Sequence, residues 1–545
     1  MKKLFLIIFL AIISVSAIFA QEKKTETHFD IFKAGDLYNA VWRELDINYV
    51  DSLNYEKLNN TAIVRMLQTL DPYTNFIPES EEAELKQMTS GVYGGIGAFV
   101  QKHGENVMIS EPRFGMPAQK NGLQAGDEII EINGEKVTGK AVSYVSEKLK
   151  GIPGTEIRLK ISRYGDKKLL EKKFLREVIQ INSIEYYGVL ADSVGYVQLN
   201  DFTDKSFIDF KAAVTDLSEN QHIKQLIIDL RDNGGGLVQE AVNIASLFVP
   251  RNTSVVTMSG KNQSNPKAYT TPFTPQFPDL PIVFLINENT ASAAEILAGA
   301  FQDLDRAVVV GERSFGKGLV QSIRRLPYNS YLKVTIAKYY LPSGRCIQAI
   351  DYASEERAKT APDSLTTEFK TAKGRVVRDK SGITPDVFVE EKQGNYISYY
   401  LYVKNIIFDF VTKYCKNHEK IDNAENFSIT DGDYADFINF VKENKFSYKL
   451  ESEKNLQQLI KIVEIEGYSE RTKDLFAQLT EILKPDLDKD LNDFRNDIQA
   501  YIEGEIVKRY YFQKGAVQYH LRKDDWVKKG VEILQNNENY LKILN

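Results

Sequence analysis

Ile282-Val283-Phe284-Leu285-Ile286-Asn287-Glu288-Asn289-Thr290-Ala291-Ser292-Ala293-Ala294-Glu295 is the stretch on which the reading of this chain turns. Five consecutive apolar residues with no alternation predict a strand covered on both faces, and the apolar-periodic Ile296 to Phe301 predicts a helix beginning close to Ser292. The same signal recurs on either side, at Gln225 to Leu230 and at Ala307 to Val310, with helical stretches between. Tyr187 to Val389 therefore reads as an α/β core whose sheet is buried on both faces.

Each of these strands runs into a loop of unusual composition. After the first comes Leu230-Arg231-Asp232-Asn233-Gly234-Gly235-Gly236, where three glycines allow the backbone to approach a ligand closely. In the second loop Ser292 faces the positive end of a helix dipole, although Ser292-Ala293-Ala294-Glu295 is also a capping box, in which Ser and Glu satisfy orphan amides. The third, Gly311-Glu312-Arg313-Ser314-Phe315-Gly316-Lys317-Gly318, nearly matches a phosphate-binding loop. It fails at Gly318, which has no hydroxyl to hold magnesium, so nucleotide chemistry is not expected and Lys317 needs another task.

A serine hydroxyl is a weak nucleophile until a base takes its proton. Of the five histidines, His28, His103, His222, His418 and His520, only His222 lies in the core, ahead of a strand and not in a strand-end loop. A Ser-His-Asp triad is thus not expected. A lysine serves when burial or neighbouring charge lowers its pKa from about 10.4 to about 7 to 8, and Ser-Lys pairs are a known solution. Asp303, at the end of the helix begun near Ser292, reads as a surface or helix-end acid and not as a catalytic one.

Upstream, Gly91 to about Lys172 changes character. Glu131-Ile132 leads into Asn133-Gly134, a two-residue hairpin signal. Tyr93-Gly94-Gly95-Ile96-Gly97 precedes the strand-like Ala98-Phe99-Val100, and Pro117 to Leu123 and Ala125-Gly126-Asp127 follow. In that order the motifs resemble a PDZ domain. The resemblance implies that the N–H groups at Tyr93 to Gly97 receive a terminal carboxylate while the next strand pairs with an extended peptide.

Together, Asn289 to Glu295, Gln302-Asp303, Gly311-Glu312, Phe315 to Gly318 and Gln321 resemble the carboxyl-terminal processing (tail-specific) serine peptidases, and the likeness spans roughly Leu37 to Val389. It implies a crotonase-like α/β peptidase core with an inserted PDZ domain. It also implies Ser292 as nucleophile, Lys317 as general base, Gln321 orienting Lys317, and the amides of Gly235 and Ala293 as oxyanion hole. Many relatives carry serine at Ala294 and proline at Gly234; neither departure removes the Ser-Lys pair.

The ends of the chain are simpler. Lys2 and Lys3 precede an apolar run from Leu4 to Ala20, the pattern of a secretory signal, whose removal would take the net charge from −6 to −8. Uncleaved, the run is just long enough to anchor the chain in a membrane. No cysteine follows it to accept a lipid. Helical spacing marks Asp30 to Ser90, broken at Asp71-Pro72, and the charged region after about Lys392, where Leu487, Leu491, Phe494, Ile498, Ile502 and Ile506 share one face. The 545 residues thus divide into a signal (1–20), a helical region (21–90), a PDZ domain (91–172), the peptidase core (173–390) and a helical domain (391–545).

Composition excludes other classes. Sixty-nine basic against 75 acidic residues, with no basic run, offer nothing to nucleic acid. Cys346 and Cys415 are too few and too far apart for a disulfide framework or a zinc site, and neither metal nor cofactor is expected. The expectation is an exported, periplasmic serine endopeptidase, held at the inner membrane if the leader stays, that takes polypeptides by their C-termini, with helical packing or self-association as the role of the region beyond Lys392. The rival reading is a catalytically silent PDZ scaffold or chaperone.

Overall fold

A computed structural model describes residues 29–82, 92–261, 266–352, 366–392 and 394–545. The apolar leader and parts of two polar stretches (262–265 and 353–365) lie outside the described residues. The chain divides into two compact units, one ending at Pro78 and one running from Glu79 to Asn545. In the first, helices α1 (29–48) and α2 (Tyr55–Gln68) follow the expected spacing. Asn54 opens α2 by accepting the Lys57 N–H at 2.9 Å, and the break at Asp71-Pro72 is held by Asp71, which accepts the Tyr73 and Thr74 amides.

The second unit opens with the β-rich module. Strands β2 (Ala98–His103), β3 (Asn106–Pro112), β4 (Glu128–Ile132), β6 (Glu156–Ser162) and β7 (Leu170–Leu175) form one sheet in that order, while β1 (Val92–Gly95) pairs with β8 (Glu177–Gln180). Asn133 and Gly134 turn β4 into the short β5 (Glu135–Lys136), both with positive φ (51° and 85°), as a tight hairpin requires. Helix α3 (Pro117–Lys120) follows β3, and α4 (Val142–Leu149) lies beside β2.

The core sheet runs β9 (Ile184–Val189), β10 (Val194–Leu199), β11 (Gln225–Asp229), β14 (Ile282–Ile286), β15 (Val308–Gly311) and β18 (Val387–Phe388), parallel except for the outer β9. Alternate side chains go to opposite faces. Leu226, Ile228, Ile282, Phe284, Ile286 and Val309 meet helices α5 (Ser206–Glu219), α6 (Val238–Ala245) and α7 (Ala293–Asp303). Ile227, Val283, Leu285, Val308 and Val310 meet Leu521, Val527, Ile533, Leu534 and Tyr540 from the end of the chain. A second, antiparallel sheet orders β16 (Leu319–Arg325), β17 (Tyr331–Tyr340), β12 (Ser254–Gly260) and β13 (Lys267–Thr270).

The C-terminal region comprises α8 (Tyr396–Val403), α9 (Ile406–Asn417), α10 (Asp431–Glu443), α11 (Glu451–Ile465), α12 (Ser469–Ile482), α13 (Leu487–Asp493), α14 (Arg495–Leu521), α15 (Asp525–Gln535) and α16 (Asn537–Ile543). The apolar face expected from Leu487 to Ile506 is divided, because Phe494 separates α13 from α14. Leu491, Ile498, Ile502 and Ile506 still share one cluster with residues of α8, α9 and α10, whereas Phe494 is partly exposed.

Candidate active site

Because β11, β14 and β15 are adjacent and parallel, the three motif loops leave the same edge of the sheet side by side, where open α/β sheets bind ligands. They are laced together. The Ala291 N–H donates to Asn233 O at 2.9 Å, Thr290 Oγ1 to Leu230 O at 2.8 Å, and the Phe315 N–H to Thr290 O at 3.0 Å. Asp232 Oδ1 accepts from both Asn287 Nδ2 and Asn289 Nδ2 at 2.9 Å.

Ser292 stands immediately before α7 with φ 56° and ψ −116°. Helix caps ordinarily have extended backbone, and a non-glycine residue held in this region costs about 1–3 kcal/mol, so capping alone does not account for the conformation. Gly235 lies directly against it. A Cβ on Gly235 would fall 2.7 Å from Ser292 Cβ and 2.8 Å from the Ala293 nitrogen, and its φ of 94° also demands glycine. The Ala293 N–H has no acceptor among the described residues. Gly235, by contrast, already donates its N–H to Asn233 Oδ1 at 2.8 Å. The amide expected at the oxyanion hole is thus engaged in this loop conformation.

The sequence reading missed what joins the serine loop to the lysine loop. Glu295, fully buried, accepts the Ser292 N–H at 2.8 Å, the back-reaching half of a capping box. The same carboxylate also accepts Ser314 Oγ at 2.6 Å, the Gly316 N–H at 2.7 Å and the Lys317 N–H at 2.9 Å. Burial pushes its pKa up, and these donors oppose the shift. Tyr339, also buried, donates to Lys317 O and lies 3.4 Å from Ser292 O. The available signal was Glu295 itself, a lone acid in the first turn of an apolar helix; Tyr339 gave none.

Gln321 lies on β16 and donates from Nε2 to Thr335 Oγ1 at 3.2 Å. Asp303 does end its helix but is no surface acid. It is buried against Arg345 at 2.8 Å and accepts the Ser343 N–H, a structural pair. At the root of the glycine loop Arg231 bonds Asp229, bonds Asp524 at 2.7 Å and lies over the Trp526 ring. Burial works against the Arg231 charge, and the two carboxylates outweigh it and raise the pKa. Among the described residues, no group of three His, Cys, Asp or Glu side chains could hold a metal ion.

In the β-rich module Tyr93 to Gly95 belong to β1, which Ile96 and Gly97 join to the outer strand β2. Gly94 is packed so closely that a Cβ would meet Gly151 O at 2.0 Å, and Gly97 has φ 68°. Ile96 is buried, its carbonyl accepting the Ala118 N–H at 2.8 Å. The connection leads into β2, which lies beside α4.

Comparison with known proteins matches residues 193–356 to peptidase family S41, residues 86–162 to the PDZ domain and residues 397–534 to a probable PDZ-protease C-terminal helical domain. A carboxy-terminal-processing protease of Bartonella bacilliformis is 33% identical over 350 residues, covering 63% of this chain and 80% of the relative. A probable CtpA-like serine protease of Staphylococcus aureus is 32% identical over 308 residues, covering 56% and 61%. The photosystem II D1 C-terminal processing protease structure is 28% identical, covers 65% of this chain and 86% of that one, and has a TM-score of 0.37.

Proposed function

The chain belongs to the carboxy-terminal-processing proteases of peptidase family S41, and on that premise we propose that it is an exported serine endopeptidase that takes polypeptides by their C-terminal ends and cleaves them with a Ser292-Lys317 dyad. The observation that carries this reading is Ser292 itself, held with positive φ at a helix N-terminus, against Gly235 and bonded through Glu295 to the lysine loop. Export is supported by the basic and apolar leader, Lys2 to Ala20.

In the proposed reaction Ser292 Oγ attacks the scissile carbonyl carbon as Lys317 Nζ takes the hydroxyl proton. The negative charge develops on the carbonyl oxygen, which the Ala293 N–H receives at the positive end of α7. The Gly235 N–H joins it once released by Asn233 Oδ1, so productive binding includes a small rearrangement of the glycine loop. Collapse breaks the C–N bond, with Lys317 returning the proton to the departing amine. Water then attacks the acyl-serine, giving its proton to Lys317, and Ser292 is regenerated. Gln321 orients the lysine in this scheme, and the groove at Tyr93 to Gly97 holds the substrate terminus.

The test is cleavage of an unstructured polypeptide with a free C-terminus. Ser292→Ala and Lys317→Ala should each abolish it, and the double variant should be no worse, because residues acting as a unit are non-additive. Substantial cleavage by Ser292→Ala would favour a silent scaffold.

A further inference from the structure

The sheet of the PDZ domain has an open side, because β2 is its outer strand. Which main-chain groups face that side follows from the register. Ile109 on β3 donates its N–H to Asp127 O at 2.9 Å and accepts from the Gly126 N–H at 2.8 Å, so Ile109 and, two residues earlier, Val107 turn their peptide groups toward β4. Their partners across the ladder are Val100 and Lys102, whose peptide groups turn outward instead. A peptide added antiparallel to β2, with its carboxylate at Tyr93 to Gly97, would bond near Ala98, then at Val100, then at Lys102.

The last of these positions is taken. Asn405, in the left-handed region at φ 61° just before α9, donates from Nδ2 to Lys102 O at 3.1 Å, and its Oδ1 accepts Gln101 Nε2 at 3.1 Å. This contact belongs to a broader interface. His103 lies between Glu128 at 2.6 Å and Asp409 of α9 at 3.1 Å, Gln513 of α14 donates to Glu111, and the Phe114 ring meets Phe512 at 5.1 Å. Phe512 has φ 56° and ψ −160°, so α14 is kinked where it touches the PDZ domain.

We propose that Asn405 ends the peptide-reading edge, so that this protein reads about the last four residues of its substrate, the span from Ala98 to Gln101 at about 3.4 Å per residue, and none upstream. The inference rests on the reading of the PDZ groove as a binder of chain ends.

The full chain carrying Ser292→Ala, which spares the probes, would be titrated by fluorescence anisotropy with peptides of four and eight residues sharing one free apolar terminus, and with the amidated four-residue peptide. The two free peptides should bind within about twofold of each other, and amidation should weaken binding by about tenfold, the loss of one charge-assisted site. Asn405→Gly keeps the left-handed backbone but removes the side chain. It should bind the eight-residue peptide about threefold more tightly and leave the four-residue peptide unchanged. A preference of about tenfold for the longer peptide in the Asn405 protein, or an Asn405→Gly change equal for both lengths or absent, would overturn the proposal alone. Equal binding of the amidated peptide would overturn the terminal reading, and the proposal with it.

Discussion

Replacing Glu295 by its neutral isostere tests whether one buried carboxylate aligns both reactive loops. Its Oε2 accepts the Ser292 and Lys317 amides at 2.8 and 2.9 Å, and its Oε1 accepts Ser314 Oγ and the Gly316 amide at 2.6 and 2.7 Å. A glutamine must direct its NH2 group at one of these pairs. Directed at Ser292 and Lys317, it orphans two part-buried N–H donors, at up to about 1–3 kcal/mol each. Directed at Ser314 and Gly316, it orphans one, because the Ser314 hydroxyl can turn and accept. The second orientation wins by about 1–3 kcal/mol, so Glu295→Gln should lose about that amount of stability while keeping both bonds to the reactive loops. Glu295→Leu, similar in size, orphans the Ser292, Gly316 and Lys317 amides together, about 3–9 kcal/mol, which approaches the whole stability of a typical domain.

The assay is urea unfolding followed by fluorescence. The chain has two tryptophans, and Trp42→Phe leaves Trp526, packed on Gly311 at the root of the lysine loop, as reporter. Measurements in the Ser292→Ala background avoid self-digestion, and cleavage is assayed in parallel with Ser292 present. The expected order is intact protein, then Gln with residual cleavage, then Leu with none and a much lower midpoint. If Glu295→Leu unfolds within about 0.5 kcal/mol of Glu295→Gln, the four-donor account is wrong.

Three further outcomes are expected. Ser292→Gly should relieve the positive φ, about 1–3 kcal/mol, against about 0.5–1 kcal/mol for the freer unfolded chain, and so should unfold at higher urea than Ser292→Ala while cleaving nothing; equal midpoints would mean that the serine carries no strain. Asp524→Asn keeps a cap for α15 but removes one of the two carboxylates holding Arg231, so cleavage should fall while peptide binding by the PDZ domain stays unchanged; loss of binding too would point to general unfolding. Hydrogen bonding to Asp409 does most to push His103 up to about 9, with Glu128 adding to it and burial opposing it. Its folded value is above the ordinary 6.5, so its contribution is complete below 6.5 and is lost as pH rises through about 9. The gap in thermal midpoint between the protein and His103→Asn should therefore be wide at pH 6 and nearly closed at pH 10.

The parts of this fold legible in the sequence are those whose signal is local. The apolar run Ile282 to Ile286 could be covered only on both faces, and Asn133-Gly134 could adopt positive φ twice where other pairs would not. Ser292, Lys317 and the three glycines could be singled out as candidates because each follows a readable strand. Glu295 was half legible, since its bond to Ser292 is local, whereas Ser314, Gly316 and Lys317 come from the next strand. The engaged Gly235 amide is a local bond, made to Asn233 Oδ1 two residues earlier, of the kind an asparagine ahead of glycines allows. Tyr339 was not legible at all, because its reach to Lys317 O depends on where another strand passes, which no spacing along the chain records. Asp303, read as a surface or helix-end acid, does end its helix, and its burial escaped the reading for the same reason: Arg345, its buried partner, arrives from beyond β17.

The least legible feature has the widest consequence. Trp526, Val527, Gly530, Ile533 and Leu534 lie at helical spacing in a charged region, which shows that α15 has an apolar face but not what it covers. It covers the core sheet: Gly530 lies against Ile227 and Val283, and Trp526 against Gly311. A parallel sheet needs both faces covered, so the helices that look like an appendage complete the layer beneath β11, β14 and β15. The same region grips the PDZ domain through Asn405, Asp409 and Gln513, and α14 runs from that grip to within a few residues of Asp524. The PDZ domain and the peptidase core are thus mounted on one helical frame. A chain cut back to the expected core boundary near residue 390 would expose Val283, Leu285, Val308 and Val310 to water and release Arg231, and for that physical reason would not be a smaller working peptidase.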